Sequence, residues 1–200
     1  MAEPIDFYFD FASPYGYIAS HRIDDLAARH GREVAWRPYL LGVAFQRTGI
    51  PLVTDQGIRG DYARHDFGRC ARYHGVPFQI PDAFPMLAVN PSRAYYWLAD
   101  QDGAAAKGLA RALWRAYFVD NRDISKAEVI AEVAVAQGLD GEAVVAALQD
   151  QAIKDRLRQE TENAIERGAF GSPYVIVDGE PFWGNDRLDM VEKWLETGGW

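Results

Sequence analysis

The chain has 200 residues, 48% of them hydrophobic, with 21 basic against 29 acidic side chains and a net charge of −8. That length holds one full core, or one domain with a second inserted into it, and the acidic balance argues against nucleic acid or an anionic membrane as a partner. No stretch is apolar enough to span a bilayer. Glu3, Asp6 and Asp10 break any secretory pattern, and the single cysteine, Cys70, excludes an internal disulfide and fits a reducing, cytoplasmic setting.

The first predicted element is a strand over 5–11, an alternating aromatic run. Ser13-Pro14 then signals a helix start, because a serine hydroxyl accepts an orphan N–H of the first turn and proline suits the first helical position. The helix is expected to run to Arg29, with Tyr17, Ile18, Ile23, Leu26 and Ala27 on one stripe and Gly31 as its stop. A second short strand over 33–38 completes a βαβ unit, which implies a parallel pair. Gly42, Gly49 and Pro51 mark a loop from Leu40 to about Leu52.

A polar helix is expected over 58–74, then an extended connector holding Pro77, Pro81 and Pro85. Further helices are predicted from Asn90 or Ser92 to Asp100 and over 104–119. Ser125-Lys126-Ala127-Glu128 matches a capping box ahead of another, and helices over 139–148 and 152–167 follow. The tail returns to strands: Tyr174–Val177, the Asp178-Gly179 dipeptide of tight type I′ hairpins, and Glu180–Trp183, which Pro181 confines to an edge. Gly184-Asn185-Asp186 caps a last helix over 187–195. The order βαβ, helices, ββα defines an α/β fold: a thioredoxin-like domain (1–40 plus 169–200) interrupted by an all-helical domain (41–168).

In this layout Ser13 sits where a strand delivers the chain to the positive end of a helix, a place suited to an anion; a plain N-cap is the competing reading. The segments F-Y-F-D-F-A-S-P-Y (7–15), F-G-S-P (170–173) and W-G-N-D-R-L (183–188) resemble the 2-hydroxychromene-2-carboxylate isomerases. These are relatives of the kappa-class glutathione transferases and share the fold of periplasmic disulfide oxidases. The resemblance covers essentially the whole chain, with W-G-N-D-R-L its most specific part. It implies that Ser13 replaces the first cysteine of a C-x-x-C motif. With Gly16 in the last position, dithiol–disulfide exchange by this motif is chemically unavailable.

The resemblance further implies glutathione as cofactor, with Ser13 donating to its sulfur and favouring the thiolate. It implies a cis Pro173 that exposes the backbone of Ser172 to the peptide, as an added strand would be held. Asn185 and Asp186 are expected at the γ-glutamyl end; helix capping alone is their other reading. Arg59 matches a glutathione-contacting lysine of kappa-class relatives, with a solvated face as its alternative, while Ile50 departs from their Asn contact. The implied activity is glutathione-dependent cis–trans isomerisation of a small aromatic carboxylate by a dimeric, cytoplasmic enzyme. A kappa-like transferase or peroxidase and a non-catalytic binding protein are the alternatives. Cys70 and His74, one helical turn apart, have metal-ligand spacing but no third partner, so no metal site is expected.

Overall fold

In the computed structural model, which describes residues 3–200, the opening aromatic run forms strand β1 (Ile5–Phe9), every residue of it buried. Such continuous burial arises when both faces of a sheet are covered. β2 (Val34–Pro38) lies parallel to it with Phe7 opposite Trp36. On the other side β3 (Tyr174–Val177) runs antiparallel, Phe7 facing Val175, and β4 (Glu180–Trp183) returns as the outer strand. The order is β2-β1-β3-β4. Asp178 (φ 51°) and Gly179 (φ 92°) both adopt the left-handed conformation that the expected tight hairpin requires.

The expected single helix over 14–29 is instead two, α1 (Pro14–Ser20) and α2 (Ile23–Arg29). The break follows from the chain tightening at His21 and Arg22, whose N–H groups bond back to Ile18 and Ala19. Ser20 turns its hydroxyl onto the Tyr17 carbonyl at 2.7 Å, and Arg22 reaches out to Asp189 at 2.7 Å. Side-chain bonding to a helical carbonyl competes with continuation of the helix.

Seven helices separate β2 from β3: α3 (Leu41–Thr48), α4 (Ile58–Tyr73), α5 (Val89–Ala99), α6 (Gly103–Phe118), α7 (Ala127–Ala136), α8 (Gly141–Gln149) and α9 (Gln151–Glu166). α3 corrects the loop expected over 40–52. Its first N–H, on Leu41, is held by the Asp10 carboxylate at 2.9 Å, a long-range cap, and it stops only at Gly49 (φ 69°). The capping box at Ser125 is also corrected. Its hydroxyl donates to Asp123 Oδ1 at 2.6 Å, and Lys126 occupies the cap position with no side-chain bond. After β4 a three-residue turn, Asn185–Arg187, leads into α10 (Leu188–Thr197).

One core runs without interruption from the sheet into the helices. Phe7, Phe9 and Trp36 pack with Trp114 of α6, whose Nε1 donates to the Phe11 carbonyl at 3.1 Å. A smaller cluster on the other face joins Tyr8, Tyr39, Tyr174 and Ile176 to Ala164. The Trp36 and Pro38 carbonyls on the outer side of β2 accept the hydroxyls of Tyr95 (3.0 Å) and Tyr96 (2.7 Å). No helix among the described residues is long and apolar enough to cross a membrane.

Candidate functional site

Ser13 lies in the turn between β1 and α1, in extended backbone (φ −85°, ψ 115°), and caps α1 by accepting the Gly16 N–H at 3.1 Å. Its hydroxyl proton goes elsewhere: Ser13 Oγ donates to the Ser172 carbonyl at 2.8 Å, across 159 residues of sequence. The Ser172–Pro173 peptide is cis. Ser172 Oγ in turn accepts the Asp10 N–H at 2.9 Å, and the buried Tyr39 hydroxyl donates to the Gly171 carbonyl at 2.7 Å. Among the described residues no acceptor takes the Ser172 N–H. The approach of α1 to this segment depends on Gly16, where a Cβ would stand 2.7 Å from Ser172 Oγ.

A third element arrives through the tail. Gly184 N–H bonds to the Pro173 carbonyl at 3.1 Å, bringing the Asn185–Arg187 turn beside α1. Asn185 is buried; its Nδ2 donates to Cys70 Sγ at 3.4 Å, while its Oδ1 is buried without a partner. Asp186 is largely exposed and paired with Arg187 at 2.9 Å. Ser13, Ser172, Pro173 and the 185–187 turn therefore meet at one end of the sheet. Arg59 does not join them by any bond; it stands exposed on the first turn of α4. Cys70 is engaged by Asn185, and burial, then the nearby Asp66 charge, pushes its thiol above the ordinary range.

Two groups at this site escape a reading of the sequence. Tyr15, one residue beyond Pro14, donates to Asp66 Oδ2 of α4 at 2.5 Å. Asp66 is held by Arg69, which also donates to the Tyr62 hydroxyl at 2.6 Å. Burial and Asp66 raise the Tyr15 hydroxyl far above its ordinary range, so it remains a neutral donor. Asp66 lies on the polar helix expected over 58–74, where nothing nearby in sequence pairs it with Tyr15; the aromatic residue directly after Ser-Pro was the available signal. The second group is Asp10, buried beneath the Ser13 turn, its carboxyl pushed up to about 6 by burial.

A seven-residue α1 behind a hydroxyl, next to an open peptide N–H and a cis proline, is the layout of the thioredoxin class of sites. The chain matches the DSBA-like thioredoxin domain family over residues 4–196, and it belongs to that family. It is 32% identical over 197 residues to a 2-hydroxychromene-2-carboxylate isomerase of Sphingobium xenophagum, covering 98% of this chain and 99% of that one. It is 27% identical over 206 residues to the glutathione S-transferase kappa 2 of Caenorhabditis elegans, covering 96% and 91%. Among solved structures, a 2-hydroxychromene-2-carboxylate isomerase superposes with a TM-score of 0.87 at 28% identity, covering 96% of this chain and 94% of that chain. The chain is thus a member of the family of these isomerases.

Proposed function

We propose that the chain is a glutathione-dependent cis–trans isomerase of 2-hydroxychromene-2-carboxylate-like compounds, the bicyclic carboxylates of aromatic-ring breakdown. The observation that carries this reading is the 2.8 Å bond from Ser13 Oγ to the Ser172 carbonyl, beside the open Ser172 N–H. The cysteinyl unit of glutathione pairs with both backbone groups of Ser172 as an added strand would. Its N–H replaces the Ser13 hydroxyl on the Ser172 carbonyl. The freed Ser13 proton then turns to the sulfur and stabilises the thiolate. One binding event thus both docks the peptide and releases the hydroxyl for catalysis.

Glutathione, when bound, would supply a thiolate able to add reversibly to a conjugated carbon of the ring-opened substrate, making a single bond about which rotation is free, and it would be regenerated on elimination. The γ-glutamyl end lies against the 185–187 turn, with Asp186 exchanging Arg187 for the α-amino group. The substrate carboxylate falls to Arg59 or to Arg64, whose guanidinium lies 5.8 Å from the Phe84 ring centre. In this reading the thioredoxin-like part (1–40 plus 169–200, of which residues 1 and 2 lie outside the described residues) carries the glutathione contacts, and the helical part (41–168) covers the substrate.

The family likeness to kappa-class transferases favours one second reading, conjugation of glutathione to an electrophile. Incubating the protein with glutathione and substrate separates the two. Thiol recovered in full alongside an isomerised product supports the isomerase, and stoichiometric loss of thiol supports the transferase.

A further inference from the structure

Beneath the Ser13 turn lies a carboxylate with no part in the thiolate chemistry. Asp10 is buried, and four hydrogen bonds converge on it from three separate stretches of chain. Its N–H donates to Ser172 Oγ at 2.9 Å and its carbonyl accepts the Ser13 N–H at 2.9 Å. Its Oδ1 accepts the Ala12 N–H at 2.7 Å, and its Oδ2 accepts the Leu41 N–H at the start of α3 at 2.9 Å. No cation faces it. The titratable groups around it are Tyr39, whose hydroxyl is on the Gly171 carbonyl, and Tyr117 of α6, whose hydroxyl is on the Ala83 carbonyl. Both are kept neutral by burial. An uncompensated carboxylate in such a place is costly, and its tolerance rests on the two backbone donors.

We infer that Asp10 is the positioning residue of the Ser13 site: its carboxylate, by holding the Ala12 and Leu41 N–H groups, fixes the turn that carries Ser13 against the segment that carries Ser172. The inference deepens, and rests on, the reading of Ser13 as the partner of a thiolate. An asparagine here offers one acceptor oxygen and points an NH2 group at the other donor, so one of the two N–H groups loses its partner. A protonated carboxyl does the same. With the carboxyl pushed up to about 6 by burial, the turn is tied at both points only above that pH. The same residue's backbone N–H then transmits the change to Ser172 Oγ.

The test is a pH titration of the ligand-free protein by amide NMR, in the wild type and in Asp10→Asn. The Gly16 N–H, which donates to Ser13 Oγ, and the Ser172 N–H should move together with a midpoint near 6, and the variant should lose both inflections. Movement confined to Ala12 and Leu41, or inflections that persist in the variant, overturns the proposal. In turnover, Asp10→Asn should lower kcat by about tenfold or more, change the glutathione KM by less than about threefold, and remove the acid limb of the wild-type pH profile. An unchanged kcat with the acid limb intact also overturns it. If calorimetry finds no glutathione binding to the wild type, the functional reading falls, while the ligand-free titration still decides Asp10. If the variant fails to fold, the wild-type titration alone decides.

Discussion

Ser13 holds two hydrogen bonds with different futures: the Gly16 N–H it accepts shapes the helix, and the Ser172 carbonyl it donates to is what a bound peptide would displace. Ser13→Ala should therefore separate two effects. Loss of the cap lowers stability by about 1 kcal/mol, read by thermal unfolding. Loss of the donor lowers kcat by about a hundredfold, with the glutathione KM changed less than about threefold, read by steady-state kinetics. Asp186→Ala should do the reverse, raising the glutathione KM about tenfold with kcat nearly kept. An unchanged KM would leave Asp186 as the ion-pair partner of Arg187 alone.

Asp10 adds a dependence on pH with a definite sign. Its carboxyl is raised from 3.8 to about 6 by burial, so folding favours the protonated form. The penalty is absent below about pH 4, grows as the pH rises, and is complete above about pH 6, reaching about 3 kcal/mol. Urea unfolding should show the wild type losing about 2 kcal/mol relative to Asp10→Asn between about pH 4.5 and about pH 8. A constant difference across that range would mean the carboxyl titrates alike in both states.

At the scale of elements, the site depends on close approaches that only glycine permits. At Gly171 a Cβ would stand 2.0 Å from Trp183 Nε1, so the indole lies directly against the segment entering the cis peptide. Gly171→Ala should displace that ring at a cost of about 1–3 kcal/mol, read as a lower unfolding midpoint and altered tryptophan fluorescence. β1, the hairpin and the Ser13 cap were legible in sequence because each is a local signal: alternation, Asp-Gly, Ser-Pro. The rest was not, for one physical reason. α3 is capped by a carboxylate 31 residues away, and Tyr15 finds Asp66 across 51, so neither partner leaves a mark in the sequence nearby. The split of α1 from α2 also matters to the chemistry. Two turns of helix stand behind Ser13 rather than the four expected over 14–29.

For the whole molecule, the continuity of the core outweighs the apparent division of the chain. Trp114 of α6 is fully buried against Phe9, Phe11 and Trp36, and donates to the Phe11 carbonyl just before Ser13. A helix from the middle of the chain thereby supports the strand end that carries the site. Trp114→Ala should cost about 3–5 kcal/mol, and chemical unfolding followed by tryptophan fluorescence and by circular dichroism should give one coincident transition. Two separated transitions would show that residues 41–168 unfold independently.

Both rims of the sheet also carry positions that hinder pairing. On β2 the outward carbonyls of Trp36 and Pro38 are occupied by tyrosine hydroxyls. On β4 the outward position opposite Ile176 is Pro181, which has no N–H to offer. A foreign strand arriving at these positions meets a filled acceptor or a missing donor, which disfavours templated growth of the sheet into fibres there.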